Sequence, residues 1–342
     1  MASLGALKRG MATTLFLVWL LLFILIGAIA ILLLRGAGLY GWVIVIFLTF
    51  IFIFLQWAIG PSIVAWSTRL KYIKKGENPF LETMVAELCQ KSNVPMPKLA
   101  IVEDQTPNAF VFGRTLNSST LAVHTGLLTR LNSDEIRAVI GHEVGHLKHR
   151  DVIIMTIAGA IPLLAYMIAY MFFFGGRGAK KEAGLALLAL AALAFAIYFI
   201  TFLLVKRLSR LREYYADSYS AFVTMNPHGL SSALTKITYG LSLSKKETSG
   251  ARSFYIGDPI SAKREISSIM KKRHQYDLDG DGVLDDYELE KAMEAEAKSR
   301  WSSWNEMSST HPPTFKRILQ LKQIEEEIKA SGEMGGNIYK HI

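Results

Sequence analysis

The stretch VIGHEVGHLKHRDVIIMTIAGAIPLLAYMIAY, residues 139–170, changes character at its midpoint. Its first half gathers His142, Glu143, His146 and His149. Its second half is almost pure hydrocarbon, so groups that need water stand directly against an apolar run of membrane-spanning length.

The rest of the chain repeats this division. It has 342 residues and is 51% hydrophobic yet 20% charged, so its apolar residues must be concentrated in blocks. Four uncharged blocks stand out, at 13–34, 39–59, 152–175 and 183–205. Each is long enough to cross a hydrocarbon core of roughly 30 Å. The first is too long for the apolar core of a signal peptide and reads as a retained span. Gly60 and Pro61 read as the end of the second, and Pro162 as a kink that neighbouring helices tolerate. Two hairpins result, the second closed by GGRGAKKE at 175–182.

Basic residues orient the hairpins. Lys8, Arg9, Arg69, Lys71, Lys74, Lys75, Lys206, Arg207, Arg210 and Arg212 all fall on one side, which the positive-inside rule makes cytoplasmic. Arg177, Lys180 and Lys181 fall on the other side and are outnumbered. The expected organisation is an α+β membrane protein with four transmembrane helices in two hairpins. Residues 1–61 form the first hairpin and 152–206 the second. Residues 62–151 and 207–342 then build one mainly helical cytoplasmic domain with a small β-sheet. The net charge of +9 belongs with anionic lipid headgroups rather than with nucleic acid. A single cysteine, Cys89, excludes a disulfide framework.

HEVGH at 142–146 matches HExxH. Asn132 followed by Glu135 forms a capping-box pattern ahead of Ile136, Val139 and Ile140, predicting a helix over 133–149. On it His142 and His146 share a face, and two imidazoles there suit Zn²⁺. Glu143 stands beside them as a general base that takes a proton from activated water and returns it to a leaving amine. A third ligand is needed, and the position six after His146 is Val152 rather than histidine. Glu213 and Asp217, four apart beyond the last span, supply it: Glu213 to the metal, Asp217 to the free ring N–H of a ligand histidine. Both ligand sets lie roughly 9–12 Å of helix from their spans, on the same side. The alternative, ion pairs of Glu213 and Asp217 with Lys206, Arg207, Arg210 or Arg212, carries less weight beside HExxH. A metal transporter would place such ligands within the spans, which hold no ionisable residue.

With these residues in place, the chain resembles the HtpX family of membrane zinc metalloproteases, of the gluzincin type. The resemblance rests on the two early spans; Asn108, Ala109 and Phe110; HEVGH running into a hairpin; EYYAD at 213–217; and Thr310, His311, Pro312, Pro313 with Arg317. It implies a cytoplasm-facing endopeptidase that degrades misfolded or damaged membrane proteins. It also implies that Asn108, Ala109 and Phe110 lie near an edge strand where substrate docks by strand addition. KLAIVED and STLAVHTGLL read as strands of a small sheet. In the late segment His311 or Arg317 is a candidate donor to the reaction's oxyanion, or else a structural loop and ion pair.

One segment departs from that family pattern. DLDGDGVLDDYE at 277–288 fits an EF-hand calcium loop, with Asp277, Asp279, Asp281, Val283, Asp285 and Glu288 at the ligand positions and Gly282 at the turn. Ca²⁺ is therefore a second expected ion, a plain polar turn being the alternative. His149 reads as facing headgroups, and His124, His228, His274 and His341 as structural or surface residues.

Overall fold

The computed structural model describes residues 13–14, 16–17, 20–21, 38–175, 181–243, 255–281, 284–297 and 309–331. Most of the first apolar block, the centre of the 175–182 loop, Gly282, Val283 and His341 lie outside them. The chain divides into two compact units. One contains Ile63–Val152 and Ser209–Ile342, the other Lys8–Ser62 and Ile153–Leu208.

Three long helices carry the apolar sequence: α1 (Gly38–Thr68), α5 (Asp151–Gly175) and α6 (Lys181–Thr224). Among the described residues, Asp151–Phe174 and Glu182–Thr224 are long and apolar enough to cross a membrane. Ala165, Ala169 and Phe172 of α5 pack on Leu190, Ala191, Ala194 and Ile197 of α6. Alanines at this seam let two apolar helices approach closely. Phe173, Phe174, Phe195 and Phe199 stay exposed on the outside of the pair. The 44 residues of α6 make a rod roughly 66 Å long, twice the thickness of a hydrocarbon core. Its C-terminal part carries Glu213 and Asp217.

Gly60 and Pro61 do not end the second block as the sequence predicts. Pro61 removes one backbone donor, yet α1 continues to Thr68 and the chain turns at Arg69, whose φ is 52°. The last turn of α1 has apolar work to do. Val64, Ala65 and Leu70 cover one face of the sheet, packing on Ala100, Val102, Phe110, Phe112 and Ala122.

That sheet has four strands, β1 (Lys71–Tyr72), β2 (Lys98–Val102), β3 (Ala109–Phe112) and β4 (Thr120–His124), in the order β1-β2-β4-β3. β2 and β4 are parallel; the outer pairs are antiparallel, and β3 is an edge. Alternation sends Leu99, Ala109, Leu121 and Val123 to the opposite face, into the main core. The run at 119–128 is extended only to His124; α3 (Thr125–Arg130) follows. Helix α2 (Pro79–Ser92) joins the core through Leu81, Val85 and Leu88.

Helix α4 (Ser133–Lys148) begins with a formed capping box. Asn132 Oδ1 accepts from Glu135 N, and Glu135 Oε2 accepts from Asn132 N, each at 2.9 Å. Such caps contribute about 0.5–2 kcal/mol. α4 packs on the C-terminal half of α6 through its glycines. A Cβ on Gly145 would lie 3.2 Å from Ala216 Cα and 3.3 Å from Ala216 O. A Cβ on Gly141 would meet only side-chain ends, Ser220 Oγ and Thr224 Cγ2, at 3.0 Å. Ser220 Oγ donates across the seam to Ala138 O at 2.6 Å. Helices α7 (Pro227–Ser242), α8 (Pro259–Lys271), α9 (Asp286–Ala297) and α10 (Thr314–Ser331) complete the polar unit, with α7 packed against α4, α8, α9 and α10.

The two glycines should respond differently to alanine. Gly145→Ala pushes against backbone and is expected to cost about 1–3 kcal/mol. At Gly141 only side chains need shift, by a few tenths of an ångström, and the gain of about 1 kcal/mol in helix propensity offsets the crowding. Denaturant midpoints of the two purified variants should separate them in that order.

Candidate metal centre

Two turns of α4 and one of α6 meet at a buried cluster. His142 Nε2 and His146 Nε2 are 3.1 Å apart. Glu213 Oε2 lies 3.5 Å from the first nitrogen, and Glu213 Oε1 lies 3.6 Å from the second. A tetrahedral ion held at roughly 2.0–2.1 Å needs ligand atoms about 3.3 Å apart. These three groups have that spacing already. Glu213 Oε2 is buried and accepts no hydrogen bond among the described residues, an acceptor aimed at a cation. The donor set therefore fits a metal.

The far ring nitrogens explain the convergence. His142 Nδ1 stands 2.8 Å from Asp217 Oδ1. His146 Nδ1 stands 2.7 Å from Asp151 Oδ2. A carboxylate only accepts, so each Nδ1 carries a proton and each Nε2 is the nitrogen turned to the site. Both aspartates are fully buried and each meets an arginine. Arg317 donates to Asp217 through Nε and Nη2, both at 2.7 Å. Arg212 Nε lies 2.9 Å from Asp151 Oδ1.

These charges set the protonation states. Burial alone would lift the carboxyls of Asp217 and Asp151, but the facing arginines and histidines outweigh it and hold both below the usual range. Glu213, also buried, is held well below by His311, His142, His146 and Arg317. Burial presses His142 down, yet Asp217 and Glu213 carry it up to about 9, so binding a cation there releases a proton. Glu143 is the exception: burial raises it, and the nearby histidines only partly offset that.

Glu143 also touches the sheet. His124 N bonds Asn108 O at 2.9 Å, so Asn108 and His124 are a hydrogen-bonded pair of the β3–β4 ladder. Alternation then turns the backbone groups of Ala109 and Val111 to the side of β3 that no strand pairs among the described residues. The Val111 N–H bonds the Glu143 carboxyl. Phe110 turns its side chain to the other face, into the cluster beneath α1. Asn108 is buried, and its Oδ1 accepts from Ile256 N at 2.9 Å. The Ile256 carbonyl accepts from Arg317 Nη1 at 2.5 Å.

Of the two late candidates, the structure separates one from the other. Arg317 has committed Nε, Nη1 and Nη2, and its Nη1 is 3.6 Å from Glu213 Oε2. It stands as a counter-charge to Asp217 and Glu213. His311 faces the cluster, with Nε2 4.0 Å from Glu213 Oε1 and Nδ1 3.0 Å from Thr310 Oγ1. Glu265 accepts the Thr314 N–H on both oxygens at the start of α10, and burial pushes its carboxyl up to about 8.

His149 does not face headgroups. It is buried edge-on against Tyr215 and Tyr219, and burial lowers it to about 4. His124 is buried with Nδ1 3.0 Å from Thr106 O, whereas His228 and His274 are exposed. Sequence reasoning missed Asp151, Arg212, Val111 and Ile256. Only Asp151 left a signal, a carboxylate at the joint between polar and apolar sequence.

In the acidic loop, Asp277, Asp279 and Glu288 bring one oxygen each within 4.8 Å of one another. Asp281 and Asp285 are not part of that group; Asp285 Oδ1 instead accepts from Glu288 N at 2.8 Å.

The profile of peptidase family M48 matches residues 75–325. The chain belongs to peptidase family M48. It is a metalloprotease carrying helices long and apolar enough to cross a membrane. Its relatives bear a consistent name. A protease HtpX homolog of Methanothermobacter thermautotrophicus is 40% identical over 66% of this chain and 85% of its own length. A protease HtpX homolog 2 of Methanosarcina mazei is 32% identical over 89% of this chain and 93% of its own. Among solved structures, Ste24p of S. mikatae aligns with 71% of this chain and 62% of its own at a TM-score of 0.47 and 17% identity.

Removing bound metal with a chelator should lower the melting temperature of the purified protein, and adding metal back should restore it. Saturation at about a hundred times the dissociation constant is worth roughly 2.7 kcal/mol. Glu213→Gln should abolish the restoration.

Proposed function

We propose that the chain is a zinc-dependent integral-membrane endopeptidase whose active site faces the cytoplasm. Its substrates are extended segments of misfolded or damaged membrane proteins. The observation that carries this reading is the convergence of His142 Nε2, His146 Nε2 and the Glu213 carboxylate beside Glu143 and the edge strand β3. Two imidazoles and one carboxylate favour Zn²⁺, which supplies Lewis acidity and acidifies water. The excess of basic residues flanking the apolar blocks supports the cytoplasmic orientation, and the likeness to HtpX proteins supports the substrate class.

The chain's own residues do the rest. A substrate strand pairs with the outward backbone groups of Ala109 and the Val111 carbonyl, which lays its scissile carbonyl beside α4. Glu143, its affinity for a proton raised by burial, accepts one from the attacking water and delivers it to the departing amine. His311 Nε2 donates to the oxygen that gains charge. Asp217 and Arg317 hold His142 in the tautomer that leaves Nε2 bare.

Glu143→Gln should bind zinc as wild type does while kcat for an internally quenched peptide falls by about 10²- to 10⁴-fold. Undiminished cleavage by the metal-loaded variant would rule this assignment out.

The same reading includes modulation by Ca²⁺ at residues 277–288. It is favoured by the gathered oxygens of Asp277, Asp279 and Glu288 and by what flanks them. Ile266 and Ile269 on α8 pack with Leu289 and Met293 on α9 around Phe315 and Ile318 of α10, the helix that carries Arg317. Lys236 joins Asp286 at 3.3 Å to Glu135 of the α4 cap at 2.9 Å. Ordering the loop thus firms helices that support the metal centre. Ca²⁺ should raise the melting temperature of the zinc-loaded protein, and Glu288→Gln should remove that rise. Equal melting curves with and without Ca²⁺ would sink the idea.

A further inference from the structure

We propose that Asp151, backed by Arg212, is the positioning residue for His146, a second orienting pair independent of Asp217 and Arg317. The inference rests on the metal reading above and extends it to two residues that no motif marks. Asp151 is fully buried and divides its carboxylate: Oδ2 goes to His146 Nδ1 at 2.7 Å, Oδ1 to Arg212 Nε at 2.9 Å. One oxygen thus fixes the ring, and the other meets the charge that makes a buried carboxylate tolerable.

The backbone is bent to make this contact. In an unbroken helix, residues five apart point about 140° away from each other, so Asp151 could not reach His146. α4 ends at Lys148, Arg150 takes a left-handed φ of 59°, and α5 starts afresh at Asp151. A non-glycine residue in that region is uncommon and is held there by its surroundings. The break folds the first residue of α5 back onto the ligand it follows. Asp151 also gains from its place in the first turn of α5, where the helix dipole favours a negative charge.

Arg212 adds a second link. It directly precedes Glu213, so one stretch of α6 presents a ligand to the site and a counter-charge to the residue that holds another ligand. A rotation of α6 that misplaced Glu213 would also pull Arg212 from Asp151. The bidentate clasp of Arg317 on Asp217 instead ties α6 to α10.

The test uses the full chain in detergent, with Zn²⁺ affinity from chelator competition and Co²⁺ as the spectroscopic probe. Asp151→Asn is expected to weaken Zn²⁺ binding by about 10- to 100-fold and to shift the visible absorption of bound Co²⁺. Peptide KM should stay unchanged at saturating metal. Melting of the metal-free protein reports any loss of folding separately. If Asp151→Asn does not fold, Arg212→Lys keeps the charge but alters the donor, and is expected to give a smaller loss with the same spectral change. Wild-type affinity together with an unaltered Co²⁺ spectrum, in whichever variant folds, would overturn the proposal. Failure of the wild type itself to bind zinc would overturn the metal reading instead, so the two failures are distinct.

Discussion

The site exists because two helix backbones come unusually close. Gly145 rests on Ala216, and Gly141 on the side chains of Ser220 and Thr224. A side chain at Gly145 would press on the Ala216 backbone and part the two helices, and three ligand groups whose facing atoms are now 3.1–3.6 Å apart could no longer share one ion. Glycine weakens a helix interior, so α4 depends on its capping box and on burial to remain helical.

Around that contact the electrostatics are closed in shells. The imidazoles are paired with aspartates and the aspartates with arginines, and all of these groups are largely buried. One branch continues outward, from Asp217 through Arg317 and the Ile256 carbonyl, and from the Ile256 N–H to Asn108 at the start of the edge strand. The strand that would receive a substrate and the nitrogen that would receive a metal are thus tied by one run of hydrogen bonds that ends in the His142–Asp217 ion pair.

How much of this the sequence reveals depends on distance along the chain. The capping box, the pairing of His142 with His146 and that of Glu213 with Asp217 are one helical turn long, and the 3.6-residue period makes them readable. The apolar blocks are readable because water excludes them whatever the fold. The contact of Asp151 with His146 is equally local but depends on a left-handed Arg150, which nothing in its side chain announces. α1 passes through Pro61 because packing on the sheet outweighs one lost bond. The burial of His149, the contact of the Val111 N–H with Glu143 and the pairing of Arg317 with Asp217 depend on partners far away in sequence, and periodicity is blind to those.

The distance between Asp217 and Arg317 bears on how the molecule is made. Their bond joins residues 100 apart, and α10 is the last element described. Until α10 docks, Asp217 has no arginine beside it, and a buried carboxylate left without its counter-charge costs about 3–5 kcal/mol. During synthesis the protein therefore carries HEVGH and Glu213 for a long interval in which their geometry is not yet held. The metal centre thus depends for its electrostatic balance on an element a hundred residues downstream of the aspartate it clasps.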